Sequence, residues 1–342
     1  MNADIIDPIV RLIWLASAVA FVIGLSRMNS PATARQGNLI SAGGMTLAIG
    51  ATAAWLLVLP PTGSFNPIGW IVILVGIAIG GGYGLYSART VKMTAMPQLV
   101  SLFNAVGGGA AALIAIDEYL RHTGAPGLQD NVATVLDIVI GSVTFTGSLI
   151  ASGKLLGLRI TPSRPVMIPG GRLVTAALAF IVVVGAVYLF AGNYSLAVMF
   201  AILAAALVFG VTMTLPIGGA DMPVVISLLN SFTGTAVAMA GFVLNNPLLI
   251  IAGALVGASG AILTKLMADA MNRSVLNIML GGFGGGDGAV GAAVTGGGSV
   301  REVSMDDAAI QLAYASSVIV VPGYGLAVAQ AQHGVRELAE LL

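Results

Sequence analysis

A glycine-rich turn near the end of the chain and a few polar residues inside otherwise apolar sequence have the types and spacing to do chemistry. The turn is Pro322-Gly323-Tyr324-Gly325-Leu326-Ala327-Val328. Ser317 to Val321, before it, reads as a buried strand, and Ala329 to Leu342, after it, reads as a helix. Strand, Gly-x-Gly-x-x-Val and helix is the order that opens a dinucleotide-binding βαβ unit. The first glycine makes the tight turn, the second lets the backbone approach a pyrophosphate, and the helix aims its first amides at the anion. Val328 is bulkier than the small residue usual at the third position, so on the motif alone a nucleotide turn and a plain turn stay alternatives. The residue that separates NAD from NADP lies about twenty positions on, beyond Leu342. The expectation is a chain that stops inside its own Rossmann-like domain.

Asn104 and Asn230 each sit about nine residues into an apolar stretch, or about 13 Å along a helix, which is near midplane depth in a bilayer. A lone amide there glues helices together with about 1 kcal/mol, whereas two at matching places favour a polar pathway. Asp221, after Gly218-Gly219, stands at the entrance of the second of these stretches, where it can cap the helix N-terminus, gate a proton, or do both. Asp137 lies about five residues inside another stretch, where a carboxylate must pair, reach water or take a proton. It reads either as a satisfied structural acid or as a pathway member. Ser259 and Gly260 read as packing residues, and Asp269, four residues from both Lys265 and Arg273, reads as an ordinary helix ion pair. There is no cysteine, and His122 and His333 are far apart in sequence, which argues against a metal enzyme.

The elements that carry these residues follow from composition. Of 342 residues, 57% are hydrophobic and 8% charged, against about 25% charged in a soluble domain, and the mean hydropathy is +0.99. Windows long enough to cross a ~30 Å hydrocarbon core occur near 9–26, 38–59, 68–87, 95–116, 132–153, 172–190, 195–214, 222–243 and 247–268. The first follows Asp4 and Asp7 and not a basic segment, so it reads as a permanent span and not a cleaved signal. Lys and Arg mark cytoplasmic loops. The odd-numbered loops carry ten such residues and the even-numbered ones only Arg121, which predicts an outside N-terminus and a cytoplasmic C-terminal part. Net charge is zero, so nothing points to nucleic acid.

The chain also repeats itself. Met96-Pro97-Gln98-Leu99-Val100-Ser101-Leu102-Phe103-Asn104 returns as Met222-Pro223-Val224-Val225-Ile226-Ser227-Leu228-Leu229-Asn230, with five of nine positions identical. Gly108, Ala110 and Ala112 match Gly234, Ala236 and Ala238, giving small-residue faces for close packing. The two copies are four helices apart, so the repeat is parallel and not inverted. Beyond it, residues 281–300 hold ten glycines and read as a tether of roughly 25 Å reach, and Ser304 with Asp307 resembles a capping box. The organisation expected is a transmembrane domain at 1–273, a Gly-rich linker at 274–300, and at 301–342 the start of an incomplete cytoplasmic nucleotide-binding domain. In fold class this is an all-α polytopic bundle of about nine transmembrane helices followed by the opening βα unit of a truncated Rossmann-like α/β domain.

Gly218-Gly219-Ala220-Asp221-Met222-Pro223 leading to Asn230, then Gly257-Ala258-Ser259-Gly260-Ala261-Ile262, Met271-Asn272-Arg273-Ser274 and Pro322 to Gln332 resemble the β subunit of proton-translocating nicotinamide nucleotide transhydrogenases. The resemblance implies hydride transfer from NADH to NADP+, driven by protons re-entering the cytoplasm. NADP(H) would be held on this subunit, and NAD(H) on a partner α subunit that brings further membrane helices. It implies a dimer of αβ units in the lipid bilayer of a bacterial cytoplasmic (inner) membrane. It assigns Asn104, Asp221, Asn230 and Ser259 to the proton pathway and its coupling, with Asp137 a weaker candidate outside the family pattern. Gly323, Tyr324, Gly325, Ala327 and Val328 fall in the NADP-binding turn. Some members carry histidine at the position of Asn104; in others a histidine of the α subunit takes the proton role, and no histidine falls inside a span here. The competing class is a non-enzymatic secondary transporter or channel with a nucleotide-binding regulatory domain.

Overall fold

Each of the nine apolar windows forms one helix long and apolar enough to cross a membrane. The computed structural model describes residues 3–58, 65–121, 127–167, 170–281, 304–323, 325–326, 329 and 331–342. In chain order the helices are α1 Ala3–Arg27, α2 Pro31–Val58, α3 Pro67–Thr90, α4 Met96–Arg121, α5 Leu128–Leu155, α6 Gly171–Phe190, α7 Leu196–Thr214, α8 Met222–Val243 and α9 Pro247–Ala270. Shorter helices follow: α10 Val275–Gly281, α11 Met305–Ala313 and α12 Gln332–Leu341. Proline opens α2, α3 and α9, where its fixed φ suits the first turn and its missing N–H costs nothing. The chain is a multi-pass membrane protein: α3 turns Ile71, Val72, Leu74, Ile77 and Ile79 outward and packs only Ser87 away, a surface that belongs in lipid or against another apolar helix.

The chain divides into two units, Met1–Thr90 with Pro97–Gly284, and Val91–Met96 with Gly285–Leu342. In the first, α5 and α8 are the most deeply buried helices, α5 lying against both α7 and α8. The α8–α9 pair is the tightest. A Cβ on Gly260 would lie 2.9 Å from Ser231 Cα, and one on Gly234 would collide with the Gly257 backbone nitrogen, so only glycine lets these backbones touch. Likewise a Cβ on Gly141 of α5 would stand 2.6 Å from the Gly108 carbonyl of α4. At the other edge, Trp14 of α1 meets Trp55 of α2 edge-on at 6.3 Å and donates to Thr52. α10 closes the unit, burying Ile278 in a cluster with Met222, Val225 and Leu229.

The repeat is visible in local structure as well. A 3-10 turn, Met93–Ala95 or Gly219–Asp221, leads directly into α4 or α8 at the two matching methionines.

In the second unit Ser304 caps α11 as expected, its hydroxyl accepting from the Asp307 N–H at 3.1 Å. The strand expected at Ser317–Val321 is not formed. The described residues contain no strand, and Val318 to Val321 are exposed, Ile319 by 85%. A strand exists through ladder partners, and none of the described residues pairs with this segment. The closing helix begins at Gln332 and not at Ala329. Of the tether expected at 281–300, Gly281 ends α10 and the rest lies outside the described residues.

Candidate functional site

Two chain turns bring the most organised charged pair together. α9 ends in a Schellman motif: Asn272 takes a left-handed φ of 53°, its N–H bonds Asp269 O at 3.0 Å, and the Arg273 N–H bonds Ala268 O at 3.0 Å. Asparagine tolerates that φ better than most side chains. The reversal turns Arg273 out of the helix line. There Nη1 donates to Asp221 Oδ1 at 2.8 Å and Oδ2 at 2.6 Å. The side chains are 31% and 14% exposed, so the pair is substantially shielded from water. Both simpler readings of these residues are corrected. Asp221 occupies the N-cap position of α8 without a side-chain capping bond, and Asp269 forms no ion pair among the described residues, because Arg273 is engaged by Asp221.

The turn that presents Asp221 is tied down from α5. Lys154, wholly buried, points its ammonium at the Pro162 and Arg164 carbonyls at 3.3 and 3.0 Å. Between them Ser163 donates its hydroxyl to Lys154 O at 2.7 Å, and its own carbonyl accepts the Gly219 N–H at 2.9 Å. Val166 N–H reaches Leu215 O at 3.2 Å. The loop after α5 is therefore latched to the α7–α8 connection, two residues before Asp221. In the sequence Lys154 is one of the ten basic residues of the odd-numbered loops. Its spacing carried no signal of burial.

Asn104 is buried on α4 and donates Nδ2 to the Ile226 carbonyl of α8 at 3.3 Å. That carbonyl is one turn before Asn230 and is the ordinary acceptor for the Asn230 N–H in a helix. Thr233 of α8 returns a bond to Asn104 O at 3.3 Å. The two repeat asparagines thus lie within one helical turn of each other across the α4–α8 contact, although the half-buried Asn230 side chain bonds none of the described residues. Ser259 is not brought to them: its hydroxyl turns back on its own helix, to Leu255 O at 2.8 Å. The hydroxyls that cross between α8 and α9 are Ser227, to Gly260 O at 3.4 Å, Ser231, to Gly257 O at 2.6 Å, and Thr264, to Ser227 at 3.1 Å. None is singled out by the sequence, since nothing in the spacing tells which hydroxyl faces the neighbouring helix.

Asp137 is wholly buried, and neither carboxyl oxygen has a hydrogen-bond partner among the described residues. The reading of a satisfied structural acid does not hold. In the glycine turn, Gly323 and Gly325 are open, with no heavy atom within 4 Å of a Cβ built on either. That leaves the backbone accessible to a close-approaching phosphate. Tyr324, Ala327 and Val328 lie outside the described residues. No cluster of three metal-ligating side chains occurs among the described residues.

Known proteins match this chain over nearly its whole length. Residues 10–342 fit the family described as NAD(P) transhydrogenase beta subunit. Two proteins of Rhodospirillum rubrum, each described as NAD(P) transhydrogenase subunit beta, are 45% identical over 338 residues, covering 96% of this chain and 70% of each relative.

Proposed function

The chain belongs to the NAD(P) transhydrogenase beta-subunit family, and from that premise we propose that it couples proton re-entry through its helix bundle to hydride transfer from NADH to NADP+. NADP(H) is held at the turn around Gly323 and Gly325, and NAD(H) on an α-subunit partner whose own helices join the bundle as part of a dimer of αβ units. The N-terminus lies outside and the glycine turn in the cytoplasm, in a bacterial inner membrane. The segment opening at residue 301 is the start of a Rossmann-like domain, joined by the glycine-rich linker. When bound, NADP+ supplies the nicotinamide carbon that accepts the hydride. The residues of this chain hold the nucleotide backbone and move protons.

The observation that carries this reading is the Asp221–Arg273 pair, shielded and doubly bonded, at the end of the helix that also carries Asn230. A carboxylate there can exchange its arginine for a proton, and the switch is sensed by every backbone atom latched to the same turn. Asn104 and Asn230 form the polar gate about two and a half turns beyond, where the Asn104 amide holds the α4–α8 contact by a bond that can be remade. Ser259 sits on the outer rim of the α8–α9 seam and contributes by loosening or tightening it.

The test is reconstitution of the complete enzyme in sealed vesicles, with reduction of NADP+ by NADH followed while a proton gradient is imposed. The expected result is a reduction rate that rises with an inward gradient, and proton movement that stops when either nucleotide is withheld. Ion movement without net hydride transfer would favour the transporter reading instead.

A further inference from the structure

The α5 face against α4 carries Asp137, Gly141, Thr144 and Ser148, at the 3.6-residue spacing that lines one side of a helix. Gly141 meets Gly108 and Ala112, Thr144 meets Gly108, and the Ser148 carbonyl accepts from Ser101 at 2.8 Å. Asn104 lies on α4 between Ser101 and Gly108, so Asp137 stands about 13 Å along the same seam from it. Among the described residues Asp137 is the one wholly buried carboxyl side chain, and its two oxygens meet no donor.

No charged neighbour answers it among the described residues. α7 and α8 contain no ionisable residue. α6 has Arg172 and Tyr188 near its two ends, and α5 itself has Asp130 and Lys154. α4 has Asp117, Glu118, Tyr119 and Arg121 in its last turns; Asp117 and Arg121 pair with each other in the open, and the Tyr119 hydroxyl accepts from the Ser195 N–H. An acid at membrane depth must pair, meet water or carry a proton. None of the described residues pairs with it, and complete burial keeps a partner's side chain away.

We propose that Asp137 is a proton-binding group of the membrane unit, loaded from water on one side and unloaded to water along the α4–α5 seam toward Asn104. On loading, one carboxyl O–H bond forms and water loses the proton. On unloading, that O–H bond breaks and water takes it, so the group alternates between neutral and −1 with no other bond changed. An amide at Asn104 cannot carry the proton, and no histidine occurs in the nine described spans. The inference deepens the proton-coupled reading given above and rests on it.

The experiment uses the complete enzyme in sealed vesicles, with Asp137→Asn and Asp137→Glu. Asparagine keeps the shape of the neutral acid, so a purely structural role survives the change. The expected result is normal assembly and NADP(H) binding, a loss of coupled turnover of about a hundredfold or more, and recovery of most of it with glutamate. Infrared difference spectra between two pH values should contain a protonated-carboxyl band that is absent in Asp137→Asn and displaced in Asp137→Glu. Coupled turnover at the normal rate in Asp137→Asn, or no such band in the unaltered enzyme, overturns the proposal. Should the asparagine variant fail to assemble, the glutamate variant and its band decide. An unaltered enzyme that transfers hydride without moving protons removes the underlying reading as well. One that pumps normally alongside a normal asparagine variant removes only the role of Asp137.

Discussion

One guanidinium nitrogen of Arg273 donates to both carboxylate oxygens of Asp221, 52 residues earlier in the chain. The pair joins the start of α8 to the segment that leaves α9, so its strength reports on whether the two helix ends are held together. Exposed pairs contribute about 0–1 kcal/mol and buried ones cost about 3–5 kcal/mol when one partner is removed; at 14% and 31% exposure this pair falls between. Asp221→Asn and Arg273→Gln should each destabilise the bundle by about 1–3 kcal/mol. The double variant should cost less than the sum of the two, by about 1 kcal/mol. Thermal unfolding of the detergent-solubilised enzyme measures all three, and strictly additive losses would mean that the bond carries no energy. Coupled turnover of Asp221→Asn should fall far more than such a loss of stability accounts for.

Why that pair was not legible in the sequence is a matter of one dihedral angle. Asp269 and Arg273 are four apart, the spacing of a helical ion pair, but the left-handed Asn272 takes Arg273 off the helix and the spacing loses its meaning. Long apolar windows, by contrast, must become helices, because only a helix satisfies its own backbone in lipid. All nine were therefore readable, and so was the repeat that places a 3-10 turn before both α4 and α8. Ser317–Val321 shows the opposite limit: an apolar run has strand propensity but becomes a strand only beside another. Depth from each helix start located Asn104 and Asp137, while which of Ser227, Ser231, Ser259 and Thr264 crosses between helices depends on rotation about the axis.

The Lys154 latch should respond locally. Lys154→Met removes the donor to two carbonyls but also removes the cost of burying an ammonium, and these oppose each other to within about 1–3 kcal/mol. Global stability is thus a poor readout. Hydrogen exchange is better: the Gly219 and Val166 amides, which bond Ser163 O and Leu215 O, should exchange on the order of tenfold faster. Unchanged exchange at both amides would mean that the loop is held without Lys154.

Glycine positions divide by what surrounds them. Gly234→Val drives a side chain into the Gly257 backbone and should cost about 3 kcal/mol or more, since overpacking against a side chain alone costs about 1–3 kcal/mol. Gly81→Leu on α3, with nothing within 4 Å of its Cβ, should change stability within the chain by no more than about 1 kcal/mol. Resistance to thermal aggregation compares the two. Equal tolerance at both positions would deny the close α8–α9 approach.

The α4–α8 contact gives the last prediction, because its polar bonds differ in what they can be replaced by. Asn104 donates to Ile226 O at 3.3 Å, and its own backbone carbonyl accepts from Thr233 at 3.3 Å. The first bond depends on the Asn104 side chain and the second does not. Asn104→Leu therefore leaves the Thr233 bond in place and returns Ile226 O to its ordinary helical acceptor role, so the loss of stability should be about 1 kcal/mol. Thr233→Val removes the second bond and should cost a similar amount. If the contact were only adhesive, the two variants would lower coupled turnover alike, in proportion to those small losses. If Asn104 also lines the route between Asp137 and the Asp221 turn, an apolar residue there interrupts a polar path that Thr233 merely borders. Asn104→Leu should then reduce proton-coupled turnover about tenfold more than Thr233→Val, measured in the same vesicles at matched protein content. Equal effects of the two variants would leave Asn104 as helix glue and move the route elsewhere.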